Sequence, residues 1–156
     1  MLEFNVDKIT IPLKQHVGGP CQPIVNVGDH VKRGQLVATP NGLGANIHTS
    51  LSGVVESVDE MNIVVKLDKE QSDDYVKLEP TDDHLQRIKD AGIVGVGGAG
   101  FPTGIKLSAQ IPGGYVIANA AECEPVLGHN VRYMEEHPEE LVRGLKYILK
   151  LTGAKE

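Results

Sequence analysis

The sequence has no tryptophan, two phenylalanines and four tyrosines, and aromatics make up 4% of it. Its apolar residues still amount to 40%, giving a Gly- and Val-rich globular composition rather than a disordered one. No apolar run approaches the roughly 20 residues that span a bilayer. The start, Met1-Leu-Glu-Phe-Asn-Val-Asp7, lacks the basic and apolar regions of a signal peptide. A cytoplasmic protein without direct membrane insertion is therefore expected. No Lys/Arg cluster interrupts a net charge of −6, which argues against a nucleic-acid partner. Only two cysteines occur, Cys21 and Cys123, far apart and outside any CxxC spacing. By themselves they cannot ligate an iron–sulfur cluster or a structural zinc.

What is present divides into two halves. The first is strand-like. Ile9-Thr-Ile-Pro-Leu13 alternates, with Pro12 pointing to a sheet edge. Residues 23–38 hold two short apolar runs beside turn signals at Gly28-Asp29 and Arg33-Gly34. Residues 47–58 and 63–67 add further strands. With no helical period, this spacing predicts a small β-barrel or sandwich. His16 and His48 have no second ligand at helical or hairpin spacing, so each reads as a hydrogen-bonded structural histidine, and no metal ligand is assigned.

The second half turns helical. Residues 75–79 read as a closing strand. Pro80 to Gly92 reads as a helix with Thr81 as N-cap, acids in its first turn and Gly92 as its stop. Gly114-Tyr-Val-Ile-Ala-Asn119 is a short apolar run bounded by turn residues, which predicts a buried strand. Glu139 to Gly153 is the strongest helical pattern. Pro138 lies at its first turn, Leu141, Leu145, Ile148 and Thr152 form one stripe, and Lys146 and Lys150 fall toward its end. The sequence then stops where an α/β unit would begin its next strand, so a fragment of a longer protein is expected.

Between these elements lies Gly95-Val-Gly-Gly-Ala-Gly-Phe-Pro-Thr-Gly-Ile-Lys106, with five glycines in ten residues. Such a backbone can adopt positive φ and approach a ligand closely, and Lys106 supplies a cation just after it. On glycine count alone a flexible connection is the simpler reading. A polar, acid-rich cluster, Asn119-Ala-Ala-Glu-Cys-Glu-Pro125, follows the predicted strand, where ligands gather in open α/β sheets.

Two resemblances follow from these motifs. Gly28-Asp-His-Val-Lys-Arg-Gly34 with Ser52-Gly-Val-Val55 resembles the biotinyl/lipoyl-type barrel-sandwich family. Carrier members hold a lysine at a hairpin tip between those motifs, whereas Pro40-Asn-Gly-Leu-Gly-Ala-Asn46 contains none. The fold is read as kept and the covalent carrier role as lost. The Gly-rich stretch with Asn119 to Pro125 resembles the flavin- and NADH-binding subunits of respiratory NADH dehydrogenase, and more closely the RnfC family of the Rnf electron-transport complex. The proline reductase-associated electron-transfer protein shares the same plan, including His16-Val-Gly-Gly-Pro20 and Asn46-Ile-His-Thr-Ser50.

These resemblances imply a mixed α+β and α/β chain. Residues 1–72 would form a barrel-sandwich hybrid, and residues 73–156 the N-terminal part of an incomplete Rossmann-like flavin/NADH domain. Gly95, Gly97, Gly98 and Gly100 would pack against flavin mononucleotide (FMN), and Lys106 would hold a phosphate or flavin oxygen. Asn119, Glu122 and Glu124 would line the isoalloxazine and ribityl region, with Phe101 bordering the nicotinamide nucleotide. The respiratory protein has an arginine where this chain has Val96 and an aspartate where it has Ala121, which removes two polar contacts.

The activity implied is NADH oxidation through bound flavin, with electrons passed to 4Fe-4S clusters outside this segment, since no CxxCxxCxxxC motif occurs. Partners would be other subunits of an electron-transfer complex or a reductase such as proline reductase, with any membrane association peripheral through them. The cofactor supplies the reactivity, so no catalytic side chain is assigned, and Cys123 between two acids is a poor nucleophile. The alternative from a different class is a non-catalytic docking module of such a complex.

Overall fold

Alternation of apolar and polar residues builds the N-terminal part. In β6 (Gly53–Val58) Gly53 and Val55 point inward while Val54 and Glu56 face out, and in β7 (Asn62–Leu67) Ile63 and Val65 do the same. This is the two-residue period of a half-buried strand. The structure, a computed structural model, describes residues 6–96, 98–121 and 126–156. The chain divides into two compact units, Met1–Lys106 and Leu107–Glu156.

In the first unit, β1 (Lys8–Pro12), β7, β6 and β3 (His30–Val31) form one antiparallel sheet in that order. A second sheet runs β2 (Gln22–Pro23), β4 (Leu36–Thr39), β5 (Ile47–His48). Their inner faces share one core that includes Leu13, Val31, Val37, Ile47, Val55 and Ile63. Among the described residues the barrel-or-sandwich expectation resolves as two open sheets, with no closed barrel. β1 lies at an edge, as Pro12 required. Gly28 and Gly34 take φ of 92° and 77° at the anticipated turns, a conformation that an L side chain rarely adopts. Asp59 closes the β6–β7 turn, its Oδ1 accepting from the N–H groups of Met61 and Asn62 at 2.7 Å each.

Three expectations need correction. Residues 75–79 form no strand. Val76 N–H donates to Arg33 O at 2.8 Å, but that one bond starts no ladder. The first helix, α1, is His84–Asp90, and its N-cap is Asp83 rather than Thr81. Asp83 Oδ1 accepts from Gln86 N–H at 3.0 Å, while Thr81 Oγ1 accepts from Asp83 N–H at 3.1 Å and so braces the cap instead of being it. The acids therefore precede the first turn. Gly92 does end α1: Gly92 N–H donates to Lys89 O and Ile93 N–H to Ile88 O, the paired bonds of a Schellman motif, with φ +65° at Gly92.

In the second unit, Gly114–Asn119 is assigned no strand. Val116 N–H donates to Glu156 O at 2.6 Å and Lys155 N–H to Gly114 O at 2.8 Å. Those two segments thus run in the same direction, with two bonds where a ladder has more. The long helix, α4, spans Pro138–Thr152 with Pro138 in its first turn, Glu139 and Glu140 beside it, and Gly153 left-handed at its end. Between them α3 (His129–Glu136) was not anticipated, because His-Asn-Val-Arg-Tyr-Met-Glu-Glu carries no broad apolar stripe. It is held by an Arg132–Glu136 pair at 2.8 Å, and Tyr133 Oη donates to Glu140 in α4 at 2.9 Å. Among the described residues, the second unit contains two helices and no strand.

Candidate functional site

The Gly-rich stretch is a closed loop, and its ends are tied together. Gly95 N–H donates to Phe101 O and Thr103 N–H to Ile93 O, each at 2.9 Å, around an antiparallel bridge between Val94 and Pro102. Pro102 is fully buried at this neck. The chain enters from the Gly92 stop of α1 and leaves into α2 (Thr103–Lys106), a single turn.

Inside the loop, Gly98 and Gly100 have φ of 62° and 61°. A Cβ at Gly98 would meet nothing within 4 Å, so packing does not require the missing side chain there. The open side leaves the backbone accessible, which is what close approach of a phosphate or a planar ring demands. Gly95 is partly covered, whereas Phe101 and Lys106 are exposed. These residues fit a flavin nucleotide in chemistry, with a bare backbone, one aromatic edge and one cation.

Gly95, Gly98, Gly100, Phe101 and Lys106 thus belong to one unit and one loop with its following turn. Asn119 lies in the second unit, exposed, its Oδ1 accepting from Ala121 N–H at 3.0 Å. Gly97, Glu122, Cys123 and Glu124 lie outside the described residues.

Sequence reasoning did not foresee a cleft of about 270 Å³ beside this loop, between residues 40–46 and the α1–α2 segment. Asn46, Ile88, Lys89, Ile93, Pro102 and Gly104 line it. The 40–46 segment, which in carriers presents the modified lysine, is fastened here: Asn46 Nδ2 donates to Asp90 O at 3.3 Å, and Asn46 O abuts Gly92.

The two histidines read as structural behave differently. His16 is hydrogen-bonded on both ring nitrogens, at 3.0 Å to Val17 O and at 3.1 Å from Ala45 N–H. Burial pulls the His48 imidazole below its ordinary range and pushes the Cys21 thiol up, so Cys21 stays a protonated, inert thiol. Among the described residues no group of His, Cys, Asp or Glu is arranged to hold a metal ion.

A sandwich whose 40–46 segment carries no lysine, followed by a closed Gly-rich loop, matches in plan a barrel-sandwich hybrid domain joined to a flavin-type domain. The sequence model of the RnfC barrel sandwich hybrid domain matches residues 4–77, and that of the Nuo51 FMN-binding domain matches residues 88–156. The chain belongs to the RnfC family. It is 36% identical to the C subunit of the proton-translocating ferredoxin:NAD(+) oxidoreductase complex of Clostridium ljungdahlii, over 96% of this chain and 37% of that protein. It is 38% identical to the Na(+)-translocating counterpart of Acetobacterium woodii, over 96% of this chain and 38% of that one. The C subunit of the ion-translocating oxidoreductase complex of Serratia proteamaculans is 34% identical, over 96% of this chain and 24% of its own length. The chain therefore spans little more than a third of these relatives at most.

Proposed function

We propose that the protein serves an Rnf-type complex as an electron-transfer subunit that binds FMN at the Gly-rich loop and oxidises NADH. Iron–sulfur clusters outside this segment would be the next carriers. The observation that carries the reading is the tied loop with left-handed Gly98 and Gly100, open on the side where Gly98 lacks a Cβ. When bound, FMN supplies the conversion between hydride and single electrons.

The chain's own residues bind and orient. The backbone of Gly95, Gly97, Gly98 and Gly100 would pack against the flavin, and Lys106 would hold the phosphate, where a cation next to a dianion gives a strong charge-assisted bond. Asn119, Glu122 and Glu124 would receive hydroxyl and ring N–H groups, and the charge on the two acids would keep them off the phosphate. Phe101 borders the nicotinamide nucleotide. The domain boundary implied lies near residue 72, with a sandwich before it and the start of a Rossmann-like flavin domain after it. Partners are other subunits of the complex or a reductase such as proline reductase, with membrane association peripheral and through them. Among the described residues no helix is long and apolar enough to cross a membrane.

The test is a titration of the chain with FMN followed by flavin fluorescence, then NADH addition under anaerobic conditions. Saturable binding and bleaching of the bound flavin support the reading. No fluorescence change at high micromolar FMN rejects flavin binding by this chain.

One observation favours docking as a second reading. Tyr115, Ile117, Val126 and Leu127 are exposed, with Ile117 at 84% of its full surface. Apolar residues so placed suit contact with a partner protein. Pull-down of another member of the complex by a chain that fails to bind FMN would favour this reading over the first.

A further inference from the structure

His16 lies at the junction of three close approaches. It is 6% exposed, and both ring nitrogens are engaged. Both Ala45 N–H, at 3.1 Å, and Ala45 O, at 3.2 Å, lie at Nε2, and Val17 O, which can only accept, lies 3.0 Å from Nδ1; with Nδ1–H donating there, Nε2 is assigned as the nitrogen that accepts from Ala45 N–H. Cys21 Sγ lies 3.4 Å from Nε2 and 3.4 Å from Ala45 O, which makes it the other group that fills this corner.

Glycines permit the approaches. A Cβ at Gly44 would stand 2.6 Å from the His16 ring at Cε1. A Cβ at Gly100 would stand 3.2 Å from Gln15 O and 3.3 Å from His16 Cα. Gly18, with φ +108°, takes Leu43 O against the face where a side chain would be. The 40–46 segment and the Gly-rich loop therefore both bear on residues 15–18.

We propose that His16 is the positioning residue of the Gly-rich loop, referencing both of its ends to the sandwich. One path runs from the ring through Ala45 and Asn46 to Gly92, where the chain enters the loop. The other runs from the His16 backbone to Gly100, just before the chain leaves it. An acceptor at the Nε2 position fixes the first path and the glycine gap fixes the second, so the loop keeps one distance from the sandwich. The flavin part of this inference rests on the proposed function above. The loop-placement part does not.

The experiment compares the wild-type chain with His16→Ala, His16→Gln and Gly44→Ala by amide hydrogen exchange, and by FMN titration. In His16→Ala the Gly95 amide, bonded to Phe101 O, exchanges about tenfold faster or more, while the β6 and β7 amides keep their protection. His16→Gln restores most of that protection, since its amide oxygen can take the Ala45 N–H. Gly44→Ala presses a methyl onto the ring and equally onto Pro40 Cβ, 2.6 Å away in each case, and reproduces the loop signature with the imidazole still present, which keeps the proposal falsifiable if His16→Ala does not fold. Where wild type binds FMN, the His16→Ala affinity falls about tenfold and Gln recovers it. Unchanged Gly95 exchange in Gly44→Ala, or equal loss in the Ala and Gln variants, overturns the proposal. A wild type that ignores FMN defeats the flavin reading alone, and the exchange data still decide the role of His16.

Discussion

The two units place their apolar residues in opposite ways. In the first, the strands turn Val31, Val37, Val55, Ile63 and Val65 into a core in which each is almost wholly buried. In the second, only Leu107 and Thr152 are buried among the described residues, while Tyr115, Ile117, Val142 and Tyr147 are exposed. Two facing sheets cover one another, whereas two helices and an extended segment cover only part of their apolar surface. The first unit therefore supplies rigidity, and the Gly-rich loop is tied to it.

The largest test of that contrast is truncation. Ile63→Ala should lose about 2–5 kcal/mol in urea unfolding, the usual range for a buried isoleucine. Ile117→Ala should stay within about 0.5 kcal/mol, as for an exposed site. A comparable loss at both positions would mean that the second unit is covered in solution and would break the comparison. Glycine replacement should differ even in sign. A Cβ at Gly53 would press on Lys66 O and stand 2.9 Å from Leu67 Cα, so Gly53→Ala should destabilise by about 1–3 kcal/mol. At Gly144, within α4, a Cβ meets nothing within 4 Å, and Gly144→Ala should stabilise by about 0.5–1 kcal/mol.

Smaller effects sharpen the picture at the junction of sandwich and loop. Asp83→Ala removes the cap of α1 and should cost about 1 kcal/mol, read as faster amide exchange at Gln86 and Arg87. The smallest effect is pH-dependent. Burial disfavours the His48 imidazolium in the folded state, so the unfolded chain binds the extra proton more readily. Stability from this group is full above the unfolded value of about 6.5 and is lost as pH falls from there through the lower folded value. A melting series from pH 7.5 to 5 should show that slope, and His48→Gln should flatten it.

Much of the first unit was legible because its signals are local. Alternation marks β6 and β7, and Gly28 and Gly34 mark turns that only a left-handed residue closes easily. The ends of α4 were readable for the same reason, with Pro138, paired acids and Gly153 at fixed offsets. The failures involve competition or distance. Thr81 and Asp83 are both good caps two residues apart, and only the fold shows which oxygen reaches a free N–H. Gly114–Asn119 has the composition of a strand, but a strand also needs neighbours, and two backbone bonds do not make a ladder. The missed His16 corner joins residues 16, 21, 45 and 100, and no window of sequence holds them together. The glycines at 44 and 100 were the available trace of it, since each marks a place where another backbone or ring comes close. Of the candidate site, the turns of the loop were legible in its glycines, two of which, Gly98 and Gly100, take positive φ, while the ligand roles of the loop, Lys106 and Asn119 are what the flavin titration decides.

On the proposed function, the Gly-rich loop with Lys106 recognises the phosphate of a flavin nucleotide. The most direct measurement is the ratio of affinities for FMN and riboflavin, which differ only in that phosphate, in the wild-type chain and in Lys106→Gln. FMN should bind at least about tenfold tighter than riboflavin, with the preference largely lost in Lys106→Gln. Equal affinity for the two flavins, or a preference that survives Lys106→Gln unchanged, would contradict it.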